Sequence, residues 1–436
     1  MNDFKSNNKK MNRRKFVNTS ALGAGGALFT GLKSSTNSPE KRENKISEVK
    51  LAYSNQGISP ISIEEIKSRI KKAQRLMQEQ QISALLLDSG TSLKYFTGLS
   101  WGQSERPMVT VIPAAGEISY ICPAFEAPRL KEIIKVGSKI YPWEDDENPY
   151  AQVALALKDA SVFTGKVGVE ERLRFFIYDG IKKVAQNIEW VSGDSITVPC
   201  RIIKSPAEIA LMQRATDITI RAIQIGLGVL KVGSRPSEFS NAVAKFHRDM
   251  GASHKFAMAN FAEASAFPHG STQPQILKKG DVVLVDCGCS FEDYESDISR
   301  TIVFGAAPTK RQQEIWDLEK KAQAAGFAAA QLEAPLGNVD AAARKVITDA
   351  GFGPGYKLPG LPHRTGHGIG MDGHEWGNAL KGNKRILELG MCFSIEPNIS
   401  IVGEFGVRHE DCVYMTTEGP KWFSQPSPSI DKPFVE

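Results

Sequence analysis

The sequence predicts an α/β protein of two consecutive domains, and three observations carry that reading. The chain has 436 residues, enough for two hydrophobic cores. Its first half alternates a helix-period stretch with short apolar runs of the kind that form buried strands. At Arg201-Ile202-Ile203-Lys204-Ser205-Pro206 the texture changes, and a long amphipathic pattern begins. Apolar (41%) and charged (24%) fractions are ordinary for a globular chain.

Residues 1–35 read as an address. Asn12-Arg13-Arg14-Lys15-Phe16-Val17 sets an arginine pair before a weakly apolar, glycine-interrupted stretch from Phe16 to Leu32. That is the pattern of a twin-arginine signal peptide, and it predicts export, with a cytoplasmic location if the signal does not function. Residues 36–60, rich in Ser, Asn, Lys and Glu, read as a linker. Much of the net charge of +5 sits in the first 50 residues. No later basic run carries interleaved aromatics, which argues against nucleic-acid binding. Nothing after the leader has the apolar length of a membrane span.

The first domain is expected over residues 61–200. A helical pattern starts near Ile63, with Ile66, Ile70, Ala73, Leu76 and Met77 on one face. Ala84-Leu85-Leu86-Leu87-Asp88 follows as a buried strand. Met108 to Pro113 and Ile118 to Pro123 flank Ala-Ala-Gly-Glu and read as a hairpin, and Val167 to Glu170 as a further strand. The second domain is expected over 201–425, with a tail over 426–436. It opens with Ser205, Pro206 and Glu208 as a helix start, and the helix is expected to reach about Leu230. The six cysteines (122, 200, 287, 289, 392, 412) contain no CxxC pair and make no zinc-finger pattern, and no disulfide is predicted.

All seven histidines lie in the second half, which directs the search for chemistry there. Val282-Val283-Leu284-Val285-Asp286 reads as a strand ending in a carboxylate, and Asp297 arrives as the chain returns. A hairpin of that length brings Asp286 and Asp297 side by side, where they repel unless a cation lies between them. His363-Arg364-Thr365-Gly366-His367-Gly368-Ile369-Gly370, followed by His374-Glu375, holds too many glycines for a helix and reads as an extended or irregular path. Ser394-Ile395-Glu396-Pro397 and Arg408-His409-Glu410-Asp411 each place an acid at the end of an apolar strand. Asp286, Asp297, His367, Glu396 and Glu410 together suit a pair of rather hard divalent ions.

The order Asp, Asp, His, Glu, Glu with these flanks resembles the family of methionine aminopeptidase, prolidase, aminopeptidase P and creatinase. The D-x-G, S-D-x-x-R-T, H-x-x-G-H-G-x-G, E-P and R-x-E-D patterns all occur. The resemblance implies an α/β N-terminal domain followed by an α+β pita-bread catalytic domain. It makes Asp286 a ligand of one metal, Asp297 and Glu410 bridging ligands, and His367 and Glu396 ligands of the other metal. It places His269, His363 and His374 in the substrate pocket and Arg408 beside the last ligand. The implied activity is hydrolysis of Xaa-Pro peptide bonds, as dipeptidase or aminopeptidase, by a metal-bridged hydroxide with Glu396 as general base. Mn is the expected metal, with Co or Zn as alternatives. Prolidases restricted to dipeptides often carry an arginine shortly after the equivalent of His374, to hold the substrate carboxylate. Here Trp376-Gly377-Asn378-Ala379-Leu380 has none, leaving Lys381 or Lys384 as candidates.

The family also implies a homodimer, with Trp101, Arg106, Phe125 and Trp143 as candidate contacts. Two other readings compete: a metal-dependent hydrolase of a non-peptide C–N or amide bond on the same scaffold, and a non-catalytic protein-binding module. The intact ligand set weighs against the second.

Overall fold

In the computed structural model, which describes residues 57–435, regular structure begins at Ser62. The leader expected over 1–35 and most of the linker expected over 36–60 lie outside the described residues. Ser62 Oγ accepts the backbone N–H of Glu65 and caps helix α1 (Ile63–Glu79). Ile66, Ile70, Ala73 and Met77 recur on its buried face. They share a core with strand β1 (Ile82–Asp88), in which only Ser83 is not fully buried.

Helix α2 (Thr91–Thr97) and the expected antiparallel hairpin of β2 (Val109–Pro113) and β3 (Ser119–Pro123) follow. Next come α3 (Ala127–Ile133), β4 (Lys139–Trp143), α4 (Pro149–Asp159), β5 (Gly165–Val169), α5 (Phe175–Val184), β6 (Ile188–Ser192) and α6 (Asp194–Arg201). The strands form one mixed sheet in the order β4-β3-β2-β1-β5-β6. Its β3–β4 and β5–β6 pairs are parallel, so each needs a crossover, which α3 and α5 provide. Trp143, expected as a partner contact, is a core residue instead. The last residue of β4 turns inward, and the indole is 5% exposed in the cluster that also holds Ile121 and Ile177. Trp101 is half-buried under the Arg129 guanidinium, and Arg106 is ion-paired with Asp145, while Phe125 is 63% exposed.

The second half opens on helix α7 (Pro206–Gly228). Ser205 Oγ accepts the Glu208 N–H, and the Glu208 carboxylate accepts the Ser205 N–H. Helix α8 (Pro236–Asp249) leads into β7 (Ser253–Phe261), β8 (Val282–Phe291), β9 (Tyr294–Glu295) and β10 (Ile298–Val303). These make an antiparallel sheet ordered β10-β8-β7, with β9 paired to β8. Helices α9 (Lys310–Ala329) and α10 (Gly337–Asp349) pack on each other. After them come β11 (Gly366–Gly368), β12 (Glu375–Ala379), β13 (Cys392–Ile395), β14 (Asn398–Ile401), β15 (Phe405–Arg408), β16 (Asp411–Thr416) and β17 (Gly419–Trp422). A second sheet runs β12-β11-β13-β16-β17, and β14 with β15 forms a separate hairpin. The segment expected as a tail is anchored: Ile430 is buried in the core that holds Trp316. All six cysteines are free and buried.

Buried charges tie the first half to the loop before β12. The Arg201 guanidinium, at the end of α6, donates to Asp372 at 2.8 Å and to Glu375 at 2.6 Å. Lys204 Nζ reaches the other Glu375 oxygen at 2.9 Å, and Arg172 lies 3.0 Å from Asp372. Burial pushes the Glu375 carboxyl up, but Lys204 and Arg201 outweigh it and hold the group at about 2. Its folded-state pKa is therefore below the unfolded one, and the associated stability exists above the ordinary carboxylate range and is lost as pH falls towards 2. Glu375→Gln is expected to destabilise the protein by about 3 kcal/mol at pH 7, since it leaves Lys204 and Arg201 short of a buried counter-charge. Denaturant unfolding at a series of pH values tests this. The gap from the parent should narrow as pH falls from about 5 towards 2, and a gap independent of pH would contradict it.

Candidate metal centre

Asp286 lies in the middle of β8, not at its end as expected, because pairing with β7 and then β9 carries the strand on to Phe291. In the β8–β10 ladder Asp286 faces Ser299 and Cys287 faces Ile298. Continuing that register sets Asp297 opposite Gly288, two residues beyond Asp286 and so on the same face of the sheet. His367 sits at the centre of the short strand β11, the extended one of the two paths, extended or irregular, that its glycines allow. A Cβ on Gly366 would stand 1.9 Å from the Ser394 carbonyl oxygen, and one on Gly368 1.7 Å from that of Trp376. Only glycine on both sides lets β11 lie between β12 and β13 with the imidazole aimed at the acids. Glu396 follows β13 and donates its N–H to the Thr365 carbonyl at 2.7 Å. Glu410 occupies the step between β15 and β16 and bridges to Ser299.

The structure thus brings all five predicted ligands together. His367 Nε2 lies 3.3 Å from Glu396, 3.6 Å from Asp297 and 3.6 Å from Glu410. His367 Nδ1 is 3.1 Å from the Gly368 carbonyl, which can only accept. The proton therefore sits on Nδ1, and the Nε2 lone pair is free for a metal. Oxygen atoms of Asp286, Asp297 and Glu410 lie within 4.8 Å of one another, as do ligand atoms of His367, Glu396 and Glu410. Glu410 belongs to both groups, and its Oε1 is buried with no hydrogen-bond partner. A shared carboxylate with an orphaned oxygen, set among other acids, fits two divalent cations.

The electrostatics point the same way. Burial, followed by Glu410, Asp286 and Glu396, pushes Asp297 well above the usual carboxylate range. Burial and Glu410 push Glu396 up to about 8. Burial acts upward on Glu410 as well, yet the neighbouring His367 and the Arg408 charge hold it at about 2. Arg408 Nη2 donates to Asp286 at 2.5 Å, and its Nε donates to Ser299 Oγ, whose single proton reaches Glu410 at 2.8 Å or Asp286 at 3.1 Å. Arg408 thus neutralises part of the acidic cluster from behind.

The ligands open onto a cleft of about 1040 Å³, lined also by His269, His363, Arg364, His374 and Phe267. His363 donates Nδ1–H to the Arg364 carbonyl at 2.7 Å, and its Nε2 is buried without a partner. Burial and Arg408 hold it down to about 4, so it is neutral and presents an acceptor. His374 is the converse. Arg364 Nη2 lies 3.3 Å from its Nδ1, and a guanidinium can only donate, so the His374 proton sits on Nε2. Burial, His367 and Arg364 hold His374 down to about 4, which leaves it a neutral donor. His269 is exposed at the rim. Lys381 lines a different depression with Asp194 and Trp376, and neither it nor Lys384 lines the cleft.

Sequence reasoning passed over Ser299, Arg364 and the Asp340–Arg344 pair of α10. Asp340 accepts the Thr365 N–H and hydroxyl, while Arg344 donates to the Leu361 and His363 carbonyls, fixing the backbone before His367. The only advance signal was Arg364 itself, lying inside the histidine motif.

Comparison with known proteins agrees with this geometry. The model of metallopeptidase family M24 matches residues 210–417, and that of the creatinase/prolidase N-terminal domain matches 69–203. An uncharacterised peptidase of Schizosaccharomyces pombe is 33% identical over 381 residues, covering 82% of this chain and 81% of its own. One from Staphylococcus haemolyticus is 30% identical, over 81% of this chain and 97% of its own. Among solved structures, a prolidase from Thermococcus sibiricus superposes with a TM-score of 0.75 at 28% identity, covering 82% of this chain and 96% of that one. An Xaa-Pro dipeptidase from Bacillus anthracis gives 0.73 at 26%, over 85% and 100%. The fold is the expected α/β domain followed by an α+β pita-bread domain, and the chain belongs to metallopeptidase family M24.

Proposed function

We propose that the protein is a dinuclear metal-dependent peptidase that cleaves Xaa-Pro bonds. The observation that carries the reading is the convergence of Asp286, Asp297, His367, Glu396 and Glu410 at the floor of one cleft whose walls hold His269, His363 and His374. Solved relatives that bear the names prolidase and Xaa-Pro dipeptidase support the substrate class. When bound, the cations supply Lewis acidity and make water a nucleophile near neutral pH. Glu396, beside His367, takes the proton of the attacking water. His374 donates from Nε2 to the oxygen on which charge develops. His363, an acceptor at Nε2, orients a substrate N–H. His269 at the rim delivers a proton to the departing proline nitrogen, which cannot leave well as an amide anion.

Manganese suits the excess of carboxylates over imidazole, with Co or Zn as alternatives. Export through the Arg13-Arg14 leader and a homodimer that uses the exposed Phe125 belong to the same proposal.

Two outcomes test it. Glu396→Gln is expected to lower kcat on Ala-Pro or Ala-Pro-Xaa peptides by about 10²-fold or more with the metals retained. Turnover that survives unchanged would remove Glu396 from the reaction, and turnover only on non-peptide amides would favour the rival hydrolase. Metal loading at pH 7 is expected to release protons, because Asp297 and Glu396 are held above their usual range until a cation takes the proton's place. The calorimetric enthalpy of Mn binding should then vary with the ionisation enthalpy of the buffer. An enthalpy independent of buffer would show the site already deprotonated.

A further inference from the structure

A second cavity of about 700 Å³ lies beside the metal cleft, and Met258 and His269 belong to the walls of both. Several polar groups in its lining have no partner. Asn260 is 2% exposed, yet its Nδ2 makes no hydrogen bond among the described residues. A buried amide left unmet is costly, which points to a ligand group that it receives. Arg235 is exposed at the wall, and its side chain makes no hydrogen bond or ion pair among the described residues. Helix α8 opens onto the same space at Pro236, and Ser237 carries the first N–H of its unpaired end.

No acidic side chain lines this cavity among the described residues. Glu238, in the first turn of α8, is engaged through both oxygens, by the Arg235 N–H at 3.0 Å and the Ser234 hydroxyl at 2.9 Å. Amide, guanidinium and helix N-terminus thus offer donors and positive charge to one space, and no carboxylate in its lining opposes them. That is the chemistry of an oxyanion site.

The register of β7 on β8 places the cavity relative to the metal centre. Met258 is the cross-strand partner of Asp286. Asn260, two residues on, faces the same side of the sheet as the diagonal neighbour of Asp286, at a backbone separation of roughly 7–8 Å. The turn that carries His269 lies directly against it. The Gly270 N–H donates to the Phe267 carbonyl at 2.8 Å, and a Cβ on Gly270, at φ +82°, would stand 2.8 Å from Asn260 Oδ1. Only glycine lets the turn rest on the amide. The span from Asp286 to Asn260 is about one residue step of 3.3–3.6 Å plus a short side chain.

We propose that this cavity is an oxyanion-binding site, in which Asn260, Arg235 and the start of α8 hold a carboxylate or another small oxyanion. The group comes either from an acidic side chain next to the proline of a bound peptide or from a free anion in solution. The site goes beyond the peptidase reading and does not depend on it.

The test uses the full-length, Mn-loaded protein. Inorganic sulfate is titrated calorimetrically into the parent, Arg235→Gln and Asn260→Asp, with Mn content measured in all three. Arg235→Gln, at an exposed position, is expected to raise the sulfate Kd about tenfold or more. Asn260→Asp sets a negative charge in the same shape and should abolish binding. If that variant loses its Mn or its fold, Arg235→Gln decides alone. Sulfate affinity unchanged by substitution would put the anion on the metals and overturn the proposal, and a parent that binds no sulfate would overturn it too. The source of the group is read from kcat/KM for Ala-Pro-Glu-amide relative to Ala-Pro-Gln-amide. A parent ratio of about ten or more that falls in Arg235→Gln assigns the site to a substrate carboxylate. A ratio of one in both proteins, with sulfate bound as expected, assigns it to a free anion. If neither peptide is cleaved, the peptidase reading fails, and the sulfate titrations still decide the site.

Discussion

Gathering four carboxylates around one imidazole in the interior is the constraint on which the rest of this structure depends. Like charges at these separations raise one another's pKa values, and burial raises them further. The protein answers with position rather than with an equal number of cations. Arg408 and Ser299 reach the acids from behind, and His367 reaches them from across the sheet. What remains is an excess of acid groups that hold protons until bound cations replace them, with an orphaned Glu410 oxygen at its centre. Metal affinity and fold stability are therefore coupled in this centre, because the arrangement that attracts the ions is strained without them.

The strand alternation explains how such a cluster is supported. Arg408 and Glu410 face the cleft, whereas His409 and Asp411 between and beyond them face the opposite way, as a period of two requires. Asp411 is paired with Arg300 at 2.7 Å, and His409 lies 3.3 Å from the buried Glu319 beneath Trp316. Arg300 in turn follows Ser299, which serves the cleft. The same two segments thus present the acids on one face and a fully buried set of charges on the other. A slip of one residue in either would exchange the two sets. Burying charge on both faces is a costly way to hold a strand, but it specifies the register strongly.

The sequence made the scaffold legible where local physics is decisive. The α1 stripe, the β2–β3 hairpin and the Ser205–Glu208 cap each depend on residues a few positions apart, and each appears as expected. The four acids and the histidine were legible because their flanks are as specific as the ligands. What stayed hidden depends on partners far along the chain. Asp286 seemed to end its strand, since nothing local shows that β7 and β9 will carry β8 past it. Trp143 looked available because the inward turn of β4 is set by neighbouring strands. Glu375 gave no sign that Arg201 and Lys204, about 170 residues earlier, would enclose it.

That last contact bears on the chemistry. His374 is exposed, yet the residues that flank it are not free: Glu375 is locked to Arg201 and Lys204, and Asp372 to Arg201 and Arg172. The first half of the chain therefore sets where this histidine stands. Which proton it carries is set from the other side, by Arg364. His363 shares the cleft and the same low basicity, but its Nδ1 meets a carbonyl where that of His374 meets a guanidinium. One partner accepts and the other donates, so two neutral histidines in one cleft come to offer opposite functions, an acceptor and a donor. Their difference lies in the partners each ring is given, not in the rings themselves, and those partners come from separate parts of the fold.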